Sequence, residues 1–136
     1  MDTVQQWMHQ PAITVPETMP LPVVREFMHQ QCVRRVPVVD AAGRLVGIVT
    51  EGDISRVSDS HVTDVRDYNL YHRVVDLPIG DIMTRDVVSI TPDALVSDVA
   101  RLLLEHRFGG VPVVASGEII GMITEADIFR MVAAQE

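Results

Sequence analysis

Two stretches of this chain have residue types at a spacing that can do chemistry. They are Gly47-Ile48-Val49-Thr50-Glu51-Gly52-Asp53-Ile54 and Gly121-Met122-Ile123-Thr124-Glu125-Ala126-Asp127-Ile128. Each reads as a glycine, a short apolar strand, and Thr-Glu-x-Asp opening a helix. A helix start offers unpaired N–H groups and a partial positive charge. With a hydroxyl and a carboxylate at that junction, it can hold the phosphate and sugar of a nucleotide. Both hydroxyls of a ribose can donate to one carboxylate, Asp53 or Asp127, in bonds stronger than neutral ones. Thr50 and Thr124 can then donate to phosphate. The same spacing has a second reading. Thr-x-x-Asp is close to a capping box, in which hydroxyl and acid satisfy backbone donors and need no ligand. Gly47 and Gly121 leave room for a ligand or a neighbouring strand to approach the backbone. Glu51 and Glu125 suit the helix dipole but disfavour a highly charged phosphate group.

The elements that must position these residues form a repeat. A shift of 75 positions aligns Met8 with Met83, Val24 with Val99, and Val36-Pro37-Val38-Val39 with Val111-Pro112-Val113-Val114. After one deletion the shift is 74, and Gly43 meets Gly117, Gly47 meets Gly121, and Arg56 meets Arg130. Six of the ten positions Gly47–Arg56 are identical to Gly121–Arg130. A unit this long is a duplicated small domain, not a solenoid repeat.

Each copy has the order β-α-β-β-α, which makes the fold class α+β. Ile13–Val15 and Val88–Ile90 are β-rich runs closed by Pro16 and Pro92. Helices follow over Leu21–Gln31 and Leu95–Arg107. Pro20 and Pro22 fit only a first turn, and Asp93 fits a cap. Val36–Val39 and Val111–Val114 read as buried strands. Turns at Gly43 and Gly117 lead into Leu45–Val49 and Ile119–Ile123, which is a hairpin signal. Second helices start at Thr50 and Thr124. The division is residues 1–57 as one repeat, 58–77 as a connector and 78–136 as the other repeat. Val65, Tyr68, His72 and Val75 fall at near-helical spacing, so a connector helix is expected about Asp64–Val75. The apolar faces of Leu95–Arg107 and of the last helix are wider than one sheet needs, so part of that surface is expected to meet other helices or a partner subunit.

Bulk properties narrow the function. The 136 residues are 47% hydrophobic, enough for a packed core, and net charge −8 excludes a general nucleic-acid binder. All eleven basic residues are arginine, so there is no P-loop lysine. The five histidines show no i, i+4 pair and no cysteine partner, so no metal site is expected. Cys32, the single cysteine, reads as a buried small residue without a nucleophile signature. Trp7 and Met8 read as a packing anchor. No basic segment with an apolar core opens the chain, and no run of about 18 apolar residues occurs. The expectation is a cytoplasmic protein, not inserted in a membrane and not an enzyme.

The two copies differ at one telling place. Arg34-Arg35 precedes Val36-Pro37, whereas Gly109-Gly110 precedes Val111-Pro112. An arginine pair can clamp a phosphate and a glycine pair gives space, though Arg34 and Arg35 also fit a solvated strand edge. Two unequal sites are therefore expected.

With the repeats laid out, the chain resembles a tandem of CBS domains, the pair called a Bateman module. The resemblance covers nearly all of the sequence. It rests on Val-Pro-Val-Val in each copy, the Gly-x-x-Thr-x-x-Asp run in each copy, and Trp7-Met8 or Ile82-Met83 ahead of each first strand. The long tyrosine-bearing connector is similar to that of short acetoin-utilisation-type members. The resemblance implies two repeats packed sheet to sheet with pseudo-two-fold symmetry. It also implies a regulatory module that binds AMP, ADP, ATP or S-adenosylmethionine in the cleft between the repeats, with no required cofactor. Thr50, Asp53, Thr124 and Asp127 would hold ribose and phosphate, Val36, Pro37, Val111 and Pro112 would line the adenine end, and Arg34 and Arg35 would reach phosphate. The acidic surroundings favour an AMP-like ligand. The module would act as a homodimer and signal to a regulated protein by a conformational change. Two alternatives stand beside it: a dimerisation or protein-interaction module whose sites stay empty, and a sensor of S-adenosylmethionine.

Overall fold

The computed structural model describes residues 1–62 and 76–135. The elements run α1 (Val4–Trp7), β1 (Val15–Pro16), α2 (Leu21–Gln31), β2 (Arg35–Val39), β3 (Leu45–Thr50), α3 (Glu51–Val62), a 3-10 turn (Ile79–Asp81), α4 (Val96–His106), β4 (Gly110–Ala115), β5 (Glu118–Thr124) and α5 (Glu125–Ala134). The connector helix expected about Asp64–Val75 lies outside the described residues.

The strand runs become strands for the reason the pattern gives. Val36 and Val38 on β2, and Val111 and Val113 on β4, are buried and β-branched. β2 pairs in parallel with β1 and antiparallel with β3, and β4 pairs antiparallel with β5. Pro37 lacks an N–H, and the ladder with β1 begins one residue later, at Val15–Val38. The expected strand Val88–Ile90 shrinks to one parallel bridge, Ile90 to Val113. Matching bulges interrupt the hairpins at Val38/Val39 and Val113/Val114. The second hairpin closes through Ser116 (φ 53°) and Gly117 (φ 79°), the left-handed pair of a tight two-residue turn. The first is one residue longer, and the Asp40 carboxylate accepts the N–H groups of Ala42 and Arg44 there, each at 2.9 Å.

α2 buries Leu21, Val24 and Met28, one stripe at i, i+3 and i+7. It ends where Cys32 turns left-handed (φ 55°), and α4 ends at the aligned Arg107 (φ 57°). Cys32 is therefore exposed, not buried as its type suggested. Its backbone closes the helix on the His29 and Met28 carbonyls. Asp93 does not cap α4 either. Leu95 is the N-cap, without a side-chain bond, and the Val96 N–H donates to the Asp2 carbonyl at 3.0 Å.

That bond reveals a partition the repeats do not show. One compact unit is Thr14–Val87, and the other joins Met1–Ile13 to Val88–Glu136. The segment leading each sequence repeat packs with the sheet of the other copy. Ile79 and Met83 are buried with Val36, Val38 and Val49, whereas Val4 is buried with Val111, Val113 and Ile123, with Trp7 and Met8 against them. Each such buried Val or Ile is worth about 1.5–3 kcal/mol over exposure. Among the described residues, no helix is long and apolar enough to cross a membrane.

Candidate functional site

β3 ends at Thr50 and α3 begins at Glu51, so Asp53 falls in the first helical turn. The Thr50 N–H donates to Asp53 Oδ2 at 2.9 Å, and the Asp53 N–H donates to Thr50 Oγ1 at 3.1 Å. This is a complete capping box. One turn on, Arg56 donates to Asp53 Oδ1. Asp53 is 9% exposed, and the guanidinium compensates its buried charge.

The second motif repeats this frame and adds to it. The Thr124 N–H and hydroxyl donate to Asp127 Oδ2 at 2.8 and 3.1 Å, and Arg130 donates to Oδ1. His9 Nδ1 stands 2.9 Å from the same Oδ2. Asp127 is wholly buried. A carboxylate offers about four lone-pair positions. Among the described residues, Thr124 twice, Arg130 and His9 bring four donors to Asp127, whereas Thr50 and Arg56 bring two to Asp53.

His9 reaches Asp127 because the exchanged leading segment lies against β5. The His9 N–H donates to the Met122 carbonyl at 2.8 Å, and the Met122 N–H returns to the His9 carbonyl at 3.2 Å. In the other unit Thr84 and Ile48 make the same pair, both at 2.9 Å. This is what the two glycines are for. A Cβ on Gly121 would collide with the His9 carbonyl oxygen, and one on Gly47 with the Met83 side chain, 3.0 Å from the Thr84 carbonyl.

The remaining predicted residues sort differently. Arg35 pairs with Thr50 across β2 and β3, and the Arg34 carbonyl accepts the Glu51 N–H at 2.8 Å. Gly109 serves Glu125 in the same way at 3.0 Å, so this place anchors a helix start through its backbone. The Arg34 side chain lines a cavity of about 800 Å³ between α2 and α3, with Arg25, His29 and Glu51, whose lining includes neither Thr50 nor Asp53. Val36 and Val111 are core residues, and Pro37 and Pro112 are buried beside them. The structure thus brings Thr50 to Asp53 and Thr124 to Asp127, and leaves the Arg34 side chain outside that cluster. Arg56 and Arg130, already aligned in the repeat, take part as well, and His9 joins them as a participant that the repeat alone did not place at the motif. The i, i+3 spacing of Asp and Arg signals the arginines, and the shift of 75 that sets His9 against Thr84 signals the histidine. Among the described residues, no group of three or more His, Cys, Asp or Glu side chains could hold a metal ion.

Known proteins share this fold. The chain is 29% identical over 133 residues to an uncharacterized protein of Methanocaldococcus jannaschii, covering 98% of this chain and 44% of that one, so it spans less than half of that relative. It superposes with a TM-score of 0.82 on AcuB of Vibrio cholerae, a protein assigned to acetoin utilization, at 27% identity over 99% of this chain and 93% of that one. CBSX2 of Arabidopsis thaliana, solved in complex with AMP, gives a TM-score of 0.84 at 26% identity, over 99% and 98% of the two chains. The CBS domain pair of protein MJ0100, solved with 5-methylthioadenosine and S-adenosyl-L-methionine, gives 0.82 at 26%, over 100% and 99%. The CBS domain model matches residues 4–60 and again 79–134, and so this chain, as a tandem pair, belongs to the CBS domain family.

Proposed function

We propose that this CBS pair is a regulatory, non-catalytic sensor that binds an adenosine ligand at its Thr-x-x-Asp motifs. One observation carries the reading: a buried carboxylate, Asp53, is fixed at a helix start by Thr50 and Arg56 with acceptor positions to spare for a ribose diol. That AMP and S-adenosyl-L-methionine occupy similar CBS pairs supports it. AMP is the preferred ligand here. Glu51 and Glu125, exposed in the first turns of α3 and α5, add negative charge that a longer phosphate chain would meet. S-adenosylmethionine comes next. Binding shifts the population of module conformations and so alters a regulated protein.

A second copy of the chain is the proposed structural partner. On the α4–α5 face Leu104 is 80% and Phe129 67% exposed, with Val132 beside them. The aligned positions of the other repeat are His29 and Ser55, beside Arg25, Glu26 and Glu51. Apolar face against apolar face, about a two-fold axis, is the pairing that covers the patch without burying those charges.

A second reading has its own observation. Both capping boxes are complete without a ligand, so the motifs can serve stability alone in a dimerisation module. Thermal unfolding with AMP, ADP, ATP and S-adenosylmethionine separates the two. A sensor gains about 2.7 kcal/mol at a hundredfold excess over Kd. No stabilisation by any of the four at millimolar concentration supports the empty module.

A further inference from the structure

We infer that His9 closes the second motif to ribose, so that the chain carries one open adenosine site, at Asp53, and one latched site, at Asp127. The inference rests on the adenosine-binding reading and says which motif performs it.

His9 and Thr84 start from equivalent points, because each makes the same two-way backbone bridge to the middle of a motif strand. The side chains then differ in reach. The imidazole extends to Asp127 Oδ2, whereas no hydrogen bond from Thr84 reaches Asp53 among the described residues. The ring is also held from its far side, with Nε2 3.2 Å from Arg130 Nη2. A guanidinium can only donate, so Nε2 accepts and the proton sits on Nδ1, which donates to Asp127. Both ring nitrogens are thereby satisfied, and the latch needs no charge on the histidine.

The consequence follows from acceptor capacity. A ribose binds a carboxylate by donating its hydroxyls. Asp127 is wholly buried, and its Oδ2 already receives three donors and its Oδ1 one, which leaves about one acceptor position where a diol needs two. Ribose must therefore expel the His9 ring before it can bind. Asp53 receives two donors and keeps a small exposed face, so it can accept a diol with the protein as it stands. His9 is a specificity-determining residue for which motif is used, not a ligand contact.

Titration calorimetry with AMP on the full chain tests this. The wild type should bind one AMP per chain, and Asp53→Ala should abolish that binding. His9→Thr installs the side chain that the other bridge carries, and should bind two AMP per chain. The double variant His9→Thr, Asp127→Ala should return to one. His9→Ser is a second variant with the same expectation, should threonine disturb folding. Wild-type binding with the stoichiometry unchanged at one in both His9 variants overturns the latch and leaves the adenosine reading intact. Wild-type binding that survives Asp53→Ala and is lost in Asp127→Ala also overturns it. No binding of AMP or of S-adenosylmethionine by any variant overturns the adenosine reading, and the latch with it.

Discussion

His9 Nδ1 lies 2.9 Å from Asp127 Oδ2, and the residue at the matching bridge beside Asp53 is Thr84. The repeated motif is thus built twice on one frame and finished differently. In one unit the carboxylate holds a helix start and keeps acceptor capacity. In the other it is the buried centre of a four-donor cluster.

The first prediction concerns stability. Asp53→Ala removes a cap and one ion pair, and should cost about 1–2 kcal/mol. Asp127→Ala removes the equivalent cap and ion pair and also the His9 contact, with the His9 and Arg130 side chains half exposed and left to water, and should cost about 2–3 kcal/mol. Urea unfolding of both variants measures the difference. Equal losses would show that the His9 contact adds nothing.

The two glycines should also behave unequally. The Gly121→Ala methyl meets the His9 backbone, which cannot move without breaking the bridge to Met122, so a loss of about 3 kcal/mol is expected. The Gly47→Ala methyl meets chiefly the Met83 side chain, which can change rotamer, so about 1–2 kcal/mol is expected. Melting curves of the two variants should rank them in that order.

For assembly, Phe129→Glu places a charge on the apolar α4–α5 face and should yield monomers by light scattering. Ser55→Glu, at the aligned position of the polar face, should leave the dimer intact. Monomeric wild-type protein at tens of micromolar would contradict the proposed pairing.

A pH effect is expected at the first hairpin. The Arg44 N–H most of all, with the Ala42 N–H and the Arg44 guanidinium, holds the Asp40 carboxyl below its ordinary value of 3.8, against an opposing effect of desolvation second only to the Arg44 N–H. A carboxyl lowered in the folded state stabilises above its unfolded value and loses that contribution as pH falls through the folded one. The stability difference between wild type and Asp40→Asn should therefore shrink below pH 3.8. A difference that stays constant on acidification would contradict the assignment.

Much of this architecture was legible in the sequence because local chemistry sets it. Leu21–Gln31 is a helix to the residue, since Pro20 and Pro22 fit only its start and its apolar stripe has one period. Gly43 and Gly117 mark both hairpins because the turns need positive φ there. The Thr-x-x-Asp spacing placed both carboxylates at helix starts. What was not legible depends on contacts distant in sequence. His9 finds Asp127 only because the leading segments are exchanged between the copies, which a linear division at residues 57 and 78 cannot express. Arg34-Arg35 against Gly109-Gly110 suggested unequal sites through side-chain charge. The carbonyls of Arg34 and Gly109 each accept a helix-start N–H, and His9 beside Asp127 is a further difference between the motifs.

A crystal structure of the chain grown with AMP tests the central claim most directly. The predicted result is a ribose diol on the Asp53 carboxylate, with the His9 ring still on Asp127. A ribose on Asp127 with His9 displaced, and no ligand beside Asp53, would contradict it.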